Sequence, residues 1–131
     1  MPSILGLLEN KMADHNDLGN AGEELALAFL VSKGYKILES NWRFQHKEID
    51  IIAKKDPFIV FVEVKTRRTN YFGEPFTFVN KKKQGFLIKA AHEYILQHDI
   101  DEEARFDIIS VLYNDYKHEI EHIQDAFYAR I

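Results

Sequence analysis

Cysteine is absent from all 131 residues, which excludes disulfides, thiolate zinc sites and cysteine nucleophiles. No apolar run approaches the roughly 18–20 residues needed to span a bilayer. The opening MPSILGLLENK lacks both a basic start and a long apolar region, so it does not read as a signal peptide, and a cytoplasmic location is expected. Glycine-rich phosphate loops and serine-elbow patterns are missing too, which removes support for P-loop nucleotide hydrolysis and serine hydrolase chemistry. Six scattered histidines without cysteine argue against zinc. His118 and His122 have metal-binding spacing only if they lie on a helix.

What is present suits one soluble domain. Apolar residues make up 46% and charged residues 29%, ordinary values for a globular chain of this length. The expected organisation is an N-terminal arm over residues 1–15 and a single domain over 16–131. The net charge of −4 hides an asymmetry. Asn41 to His92 carries eleven Lys/Arg against five Asp/Glu, whereas the remainder carries six against sixteen. Fields are screened over about 10 Å, so a basic middle can meet phosphate whatever the total charge. The plainer alternative is that these lysines only solvate a helix and a hairpin.

Periodicity predicts a helix over 17–33, with Leu18, Ala21, Leu25, Ala28 and Phe29 on one face and Gly34 closing it. Extended chain follows over 35–44, then two β-branched strands over 48–54 and 59–67. A second helix is expected over 80–97, and an apolar strand over 104–113. Residues 116–127 read as a strand ending in a helical turn. Together these elements make an α/β sandwich with a mixed central sheet.

The charged residues of the two middle strands stand out. Asp50, Glu63 and Lys65 interrupt apolar runs, where charge is costly to bury. Pro57 suits a two-residue hairpin turn poorly, so a four-residue loop from Lys55 to Phe58 is expected. Lys54 then pairs with Ile59, Asp50 with Glu63, and Glu48 with Lys65. All four charges would share a face, opposite Ile49, Ile51, Val62 and Val64. Directly opposed carboxylates repel, and a divalent cation reverses the sign of that interaction. Magnesium needs only one or two carboxylates, to which the Val64 carbonyl could add, together with water and phosphate. The competing reading is a solvated sheet face laced with salt bridges, and an isolated pattern of this kind arises often by chance. The apolar runs favour a covered sheet with the charges in a cleft.

Asp50 with Glu63-Val64-Lys65, behind a helix bearing Glu23, resembles the PD-(D/E)xK endonuclease superfamily. Over roughly residues 17–127 the chain resembles the YraN-like family of small bacterial proteins more closely. The matching residues are Gly19-x-x-Gly22-Glu23-x-x-Ala26, Gly34-Tyr35, Asn41-x-Arg43, Glu48-Ile49-Asp50, Phe61 to Arg67, Phe72-Gly73 and Arg105-Phe106-Asp107. Lys47 departs from the pattern, standing where the family usually carries glycine. The resemblance implies a restriction-endonuclease-like α-β-β-β-α-β sandwich and a Mg²⁺- or Mn²⁺-dependent nuclease acting on DNA, branched or single-stranded substrates included. It further implies metal ligation by Asp50 and Glu63, a catalytic role for Lys65, and a water-positioning or metal-site role for Glu23. Likeness to junction resolvases adds a homodimer as an expectation.

Each assignment has a plainer counterpart. Glu23 could be half of a solvated pair with Glu24. Glu48 is either an extra ligand or, preferably, the cross-strand partner of Lys65. Arg43, Arg67, Arg68, Lys81, Lys82 and Lys83 are candidates for a phosphate track. Trp42, Phe44, Tyr71 and Phe72 could stack on bases, although such aromatics more often belong to a core or its rim. Asp107 reads as a structural salt bridge rather than a metal ligand. The functional alternative is a silent nucleic-acid- or partner-binding module on a nuclease fold.

Overall fold

Among the described residues, two helices and five strands follow in the order α1 (His15–Ser32), β1 (Lys36–Phe44), β2 (Lys47–Lys55), β3 (Phe58–Arg67), α2 (Lys81–His98), β4 (Glu103–Tyr113) and β5 (His118–Phe127). They belong to a computed structural model that describes residues 15–69 and 79–128. The expected arm, apart from its last residue, and the aromatics Tyr71 and Phe72 lie outside those residues.

The sheet order is β1-β2-β3-β4-β5. All neighbours are antiparallel except β3 and β4, which run parallel and are joined through α2. A parallel pair needs a crossover of this kind, and the crossover helix covers one face of the sheet. Leu87, Ala91 and Tyr94 of α2 pack there on Ile52, Ile59, Phe61 and Ile108. Ala21, Leu25 and Leu30 of α1 pack on Ile51, Val60, Val62 and Ile109 of the opposite face. Burial on both faces explains why β2, β3 and β4 read as nearly continuous apolar runs. The result is the mixed-sheet, restriction-endonuclease-like sandwich that the sequence leads one to expect.

Within α1 the expected face is nearly right, but Ala28 is exposed and Ala26 and Leu30 are buried in its place. The hairpin turn also differs. Lys55 pairs with Phe58, leaving a two-residue turn at Asp56–Pro57 rather than a four-residue loop. The Asp56–Pro57 bond is cis. The predicted register survives, with Lys54 opposite Ile59 and Ile51 opposite Val62.

β5 continues as a strand to Phe127, so the helical turn expected at its end is not formed. Its register against β4 shifts between Phe106 and Ile108, and Asp125 adopts φ 52° there. Asp107 stabilises this bulge, because its Oδ1 accepts the Asp125 N–H at 3.0 Å. Arg105 donates to both carboxylate oxygens, at 2.9 and 2.8 Å, and His122 Nε2 lies 2.7 Å from Oδ2. Burial disfavours the Asp107 charge, yet hydrogen bonds from His122, Arg105 and Asp125 outweigh it and hold the carboxyl below its ordinary value. Asp107 is therefore the structural residue that its setting suggested, and His122 is its partner.

One close approach sets the position of α1. A Cβ added to Gly22 would overlap Thr66 Oγ1 and lie 2.7 Å from Thr66 Cβ. Thr66 faces α1, as strand alternation from Lys65 requires. Glycine thus lets the helix backbone rest on the end of β3 and brings Glu23, the next residue, over the same end. Gly22→Ala is expected to cost about 1–3 kcal/mol in urea unfolding through this overlap, and unchanged stability would show that the contact does not constrain the helix. Asp107→Ala is expected to cost about 3–5 kcal/mol, since it leaves Arg105 buried without its partner; a loss below 1 kcal/mol, roughly that of a surface pair, would refute that account.

Candidate active site

The β2–β3 ladder ends one residue short of the charged pair. Its last paired positions are Ile51 and Val62, so Asp50 and Glu63 lie where the strands part. Beyond that point β2 continues to pair with β1 alone, Ile49 opposite Trp42 and Glu48 opposite Arg43. Asp50 Oδ2 accepts the Val64 N–H at 2.8 Å, so a side chain takes the place of a strand carbonyl. Asn41 lies between the paired residues Ser40 and Trp42, next to Asp50 across the β1–β2 pair, and adopts φ 53°.

This parting alters the predicted faces. Ile51, Val62 and Val64 share the α1 side, but Ile49 packs on the α2 side with Ile52 and Phe61. Strand alternation is lost at Asp50, where the ladder stops. For the same reason Glu48 is not the partner of Lys65. The two form no ion pair, and Glu48 instead faces an open groove.

Both helices reach the site, one from each side of the sheet. From α1, Glu23 comes within reach of the Asn41 side chain and of Asp50. Burial raises the Glu23 carboxyl, and Glu48 and Glu63 add to the rise. From α2, Lys83 forms an ion pair with Glu63, which is only 4% exposed. Asp50 is the most perturbed group. Burial, then the Glu63 charge, pushes its carboxyl from 3.8 up to about 7, against the opposing pull of the Val64 N–H and Lys83. Three acids crowded at one point form an electrostatic deficit that a cation would relieve.

Their oxygens suit a hard divalent cation. Among the described residues no three His, Cys, Asp or Glu side chains form a ready cage. A two-carboxylate site completed by water and phosphate needs none, so the donor set fits magnesium or manganese on those terms. Lys65 is half-buried and follows Glu63 by one strand period on the α2 side.

Beside the carboxylates opens a groove of about 580 Å³ lined by Arg43, His46, Lys47, Glu48, Asn80, Lys82, Lys83, Phe86 and Leu87. Five of these nine carry or can carry positive charge, and the Lys47 ammonium lies 5.2 Å from the Phe86 ring centre. Arg43, Lys82 and Lys83 of the expected phosphate track meet here. Lys81 does not: it turns toward a separate cavity with Gln84, Gly85, Ile88 and Tyr128, because adjacent positions on a helix point about 100° apart. Arg67 and Arg68 end or follow β3, and neither lines the groove. Trp42 and Phe44 stack on each other and pack against Tyr94 and Phe86, so both belong to the rim of the core.

Two features escaped the sequence reading. Asn41 was visible only as part of a motif, and its approach to Glu23 arises from packing. Lys83 was expected at phosphate, yet it is the counter-ion of Glu63.

The model of a family described as "Uncharacterised protein family UPF0102" matches residues 22–111, which span every one of these carboxylates and Lys83. The chain belongs to the UPF0102 family. It is 54% identical over 117 residues to a UPF0102 protein of Flavobacterium psychrophilum, covering 89% of this chain and 98% of that protein. A UPF0102 protein of Christiangramia forsetii is 50% identical with the same coverage. One from Thermodesulfovibrio yellowstonii is 49% identical over 112 residues, 86% of this chain and 96% of that one. Among the described residues of this UPF0102 protein, no helix is long and apolar enough to cross a membrane.

The Asp50 shift has a consequence for stability. A carboxyl whose folded value of about 7 exceeds its ordinary 3.8 stabilises the fold most below 3.8, and that contribution is lost as pH rises through about 7. Asp50→Asn keeps an oxygen for the Val64 N–H and removes the charge. Without metal it should be more stable than the parent above pH 7 by on the order of 1–3 kcal/mol, with the gap closing as pH falls. Urea unfolding across pH in a chelator measures this, and a gap independent of pH would contradict the assignment.

Proposed function

We propose that this protein is a divalent-metal-dependent nuclease that hydrolyses phosphodiester bonds in DNA. The observation that carries the reading is the crowding of Asp50 with Glu63 and Glu23 at the strand fork, which raises Asp50 to about 7. Without a cation this arrangement opposes folding at neutral pH, and structures keep such strain mainly where it serves a site. The adjoining groove supplies the second requirement, cations for a phosphate backbone.

In this reading Asp50 and Glu63 hold Mg²⁺ or Mn²⁺, and the Val64 carbonyl is the backbone ligand. The bound ion would lower the pKa of an attacking water and offset charge developing at phosphorus. The Val64 N–H fixes one Asp50 oxygen. Glu23 acts as the acceptor that positions water from the α1 side, while Lys65 stabilises a non-bridging phosphate oxygen or the attacking hydroxide. Arg43, Lys82 and Lys83 bind the flanking backbone, with Arg67 and Arg68 serving strand ends outside the groove.

A second reading has one observation in its favour. Glu63 is already neutralised by Lys83, so a binding module could use this surface without metal. Calorimetry separates the two: such a module binds DNA but takes up no Mn²⁺.

The activity test uses branched, flapped, single-stranded and duplex DNA with Mg²⁺ and Mn²⁺. Cleavage of at least one substrate is expected, falling about 10²-fold or more in Asp50→Ala and in Lys65→Ala. No cleavage of any substrate, or cleavage that survives both substitutions, overturns the proposal.

A further inference from the structure

Lys83 stands between two sites. Its ammonium pairs with Glu63, whose side chain is 5% exposed, while its own side chain is 38% exposed and lines the groove. Its backbone is fixed, because Asn80 caps α2 by accepting the Lys83 N–H at 2.9 Å. The flexible stem above that anchor is long enough to choose between carboxylate and groove. It also contributes to the field on Asp50, lowering the tendency of that carboxyl to keep its proton.

An ammonium and a divalent cation cannot both neutralise Glu63 at close range, since they repel one another there. We propose that Lys83 is a built-in counter-ion, which holds Glu63 in the metal-free protein and is released into the groove when a divalent cation binds Asp50 and Glu63. Released, it joins Arg43, Lys47 and Lys82 as a phosphate ligand. Metal binding and phosphate binding are then linked through one side chain, and by linkage each strengthens the other. This inference rests on Asp50 and Glu63 being the metal site proposed above.

Lys82 supplies the control. It lines the same groove and carries the same charge, but Glu63 is paired with its neighbour. Mn²⁺ affinity is measured by calorimetry on the full chain without DNA, for the parent, Lys83→Met and Lys82→Met. Lys83→Met is expected to bind Mn²⁺ about 5-fold or more tightly, because no ion pair must open first. Lys82→Met should change affinity by less than about twofold, the effect of a screened charge. Lys83→Gln, which keeps a donor for Glu63, is measured alongside and takes the place of Lys83→Met if that variant does not fold. Unchanged or weaker binding on removing the Lys83 charge overturns the counter-ion role, as does an equal gain in Lys82→Met. If parent and variants alike bind no Mn²⁺, the metal-site reading itself fails, and the counter-ion role fails with it.

Discussion

The candidate site of this protein depends on where one ladder of hydrogen bonds stops. β2 and β3 pair from Lys55–Phe58 as far as Ile51–Val62, and there the strands part. The Val64 N–H then bonds the Asp50 carboxylate. A buried amide must find an acceptor, and a side chain that meets the need is held in place by it. This bond fixes Asp50 beside Glu63 and ends the alternation that would have left Ile49 on the same side as Ile51.

Around that fork the two layers of the sandwich act unequally. α1 comes close because Gly22 carries no Cβ, and it brings a third acid, Glu23. α2 arrives as the crossover between parallel strands, and its first turn brings Lys82 and Lys83 to the groove, where they meet Arg43, His46 and Lys47 of the β1–β2 hairpin. One helix adds negative charge to the fork and the other offsets it. Asp50 lies between these influences, and burial decides the balance by pushing its carboxyl up to about 7. On β4, the neighbour of β3, buried charge is handled differently. Asp107 has three partners and is held below its ordinary value. Two aspartates in one sheet thus shift in opposite directions, because hydrogen bonds outweigh burial at Asp107, whereas burial and the Glu63 charge outweigh the Val64 bond at Asp50.

Much of this was legible in the chain. Strand positions in β2 and β3 followed from β-branched content, and the register followed from counting outward from the hairpin. The two-residue turn was not legible, because proline generally suits such a turn poorly. The faces around Asp50 were missed because strict alternation assumes that a ladder continues. Likewise, the ending of β5 was read as a helical turn, since the Asp107 carboxylate that stabilises its bulge is 18 residues away in sequence.

The sequence by itself determined the layered α/β architecture, the neighbouring carboxylates and the basic character of the middle of the chain. These depend on local periodicity and on composition, which contacts between neighbours express. Tertiary structure alone decided that Glu23 reaches Asp50, that Lys83 rather than Lys81 meets Glu63, and that Glu48 faces the groove instead of Lys65. Such pairings depend on the angle at which each helix crosses the sheet and on the place where a ladder ends. Both are set by packing among residues far apart in the chain, which no local pattern records.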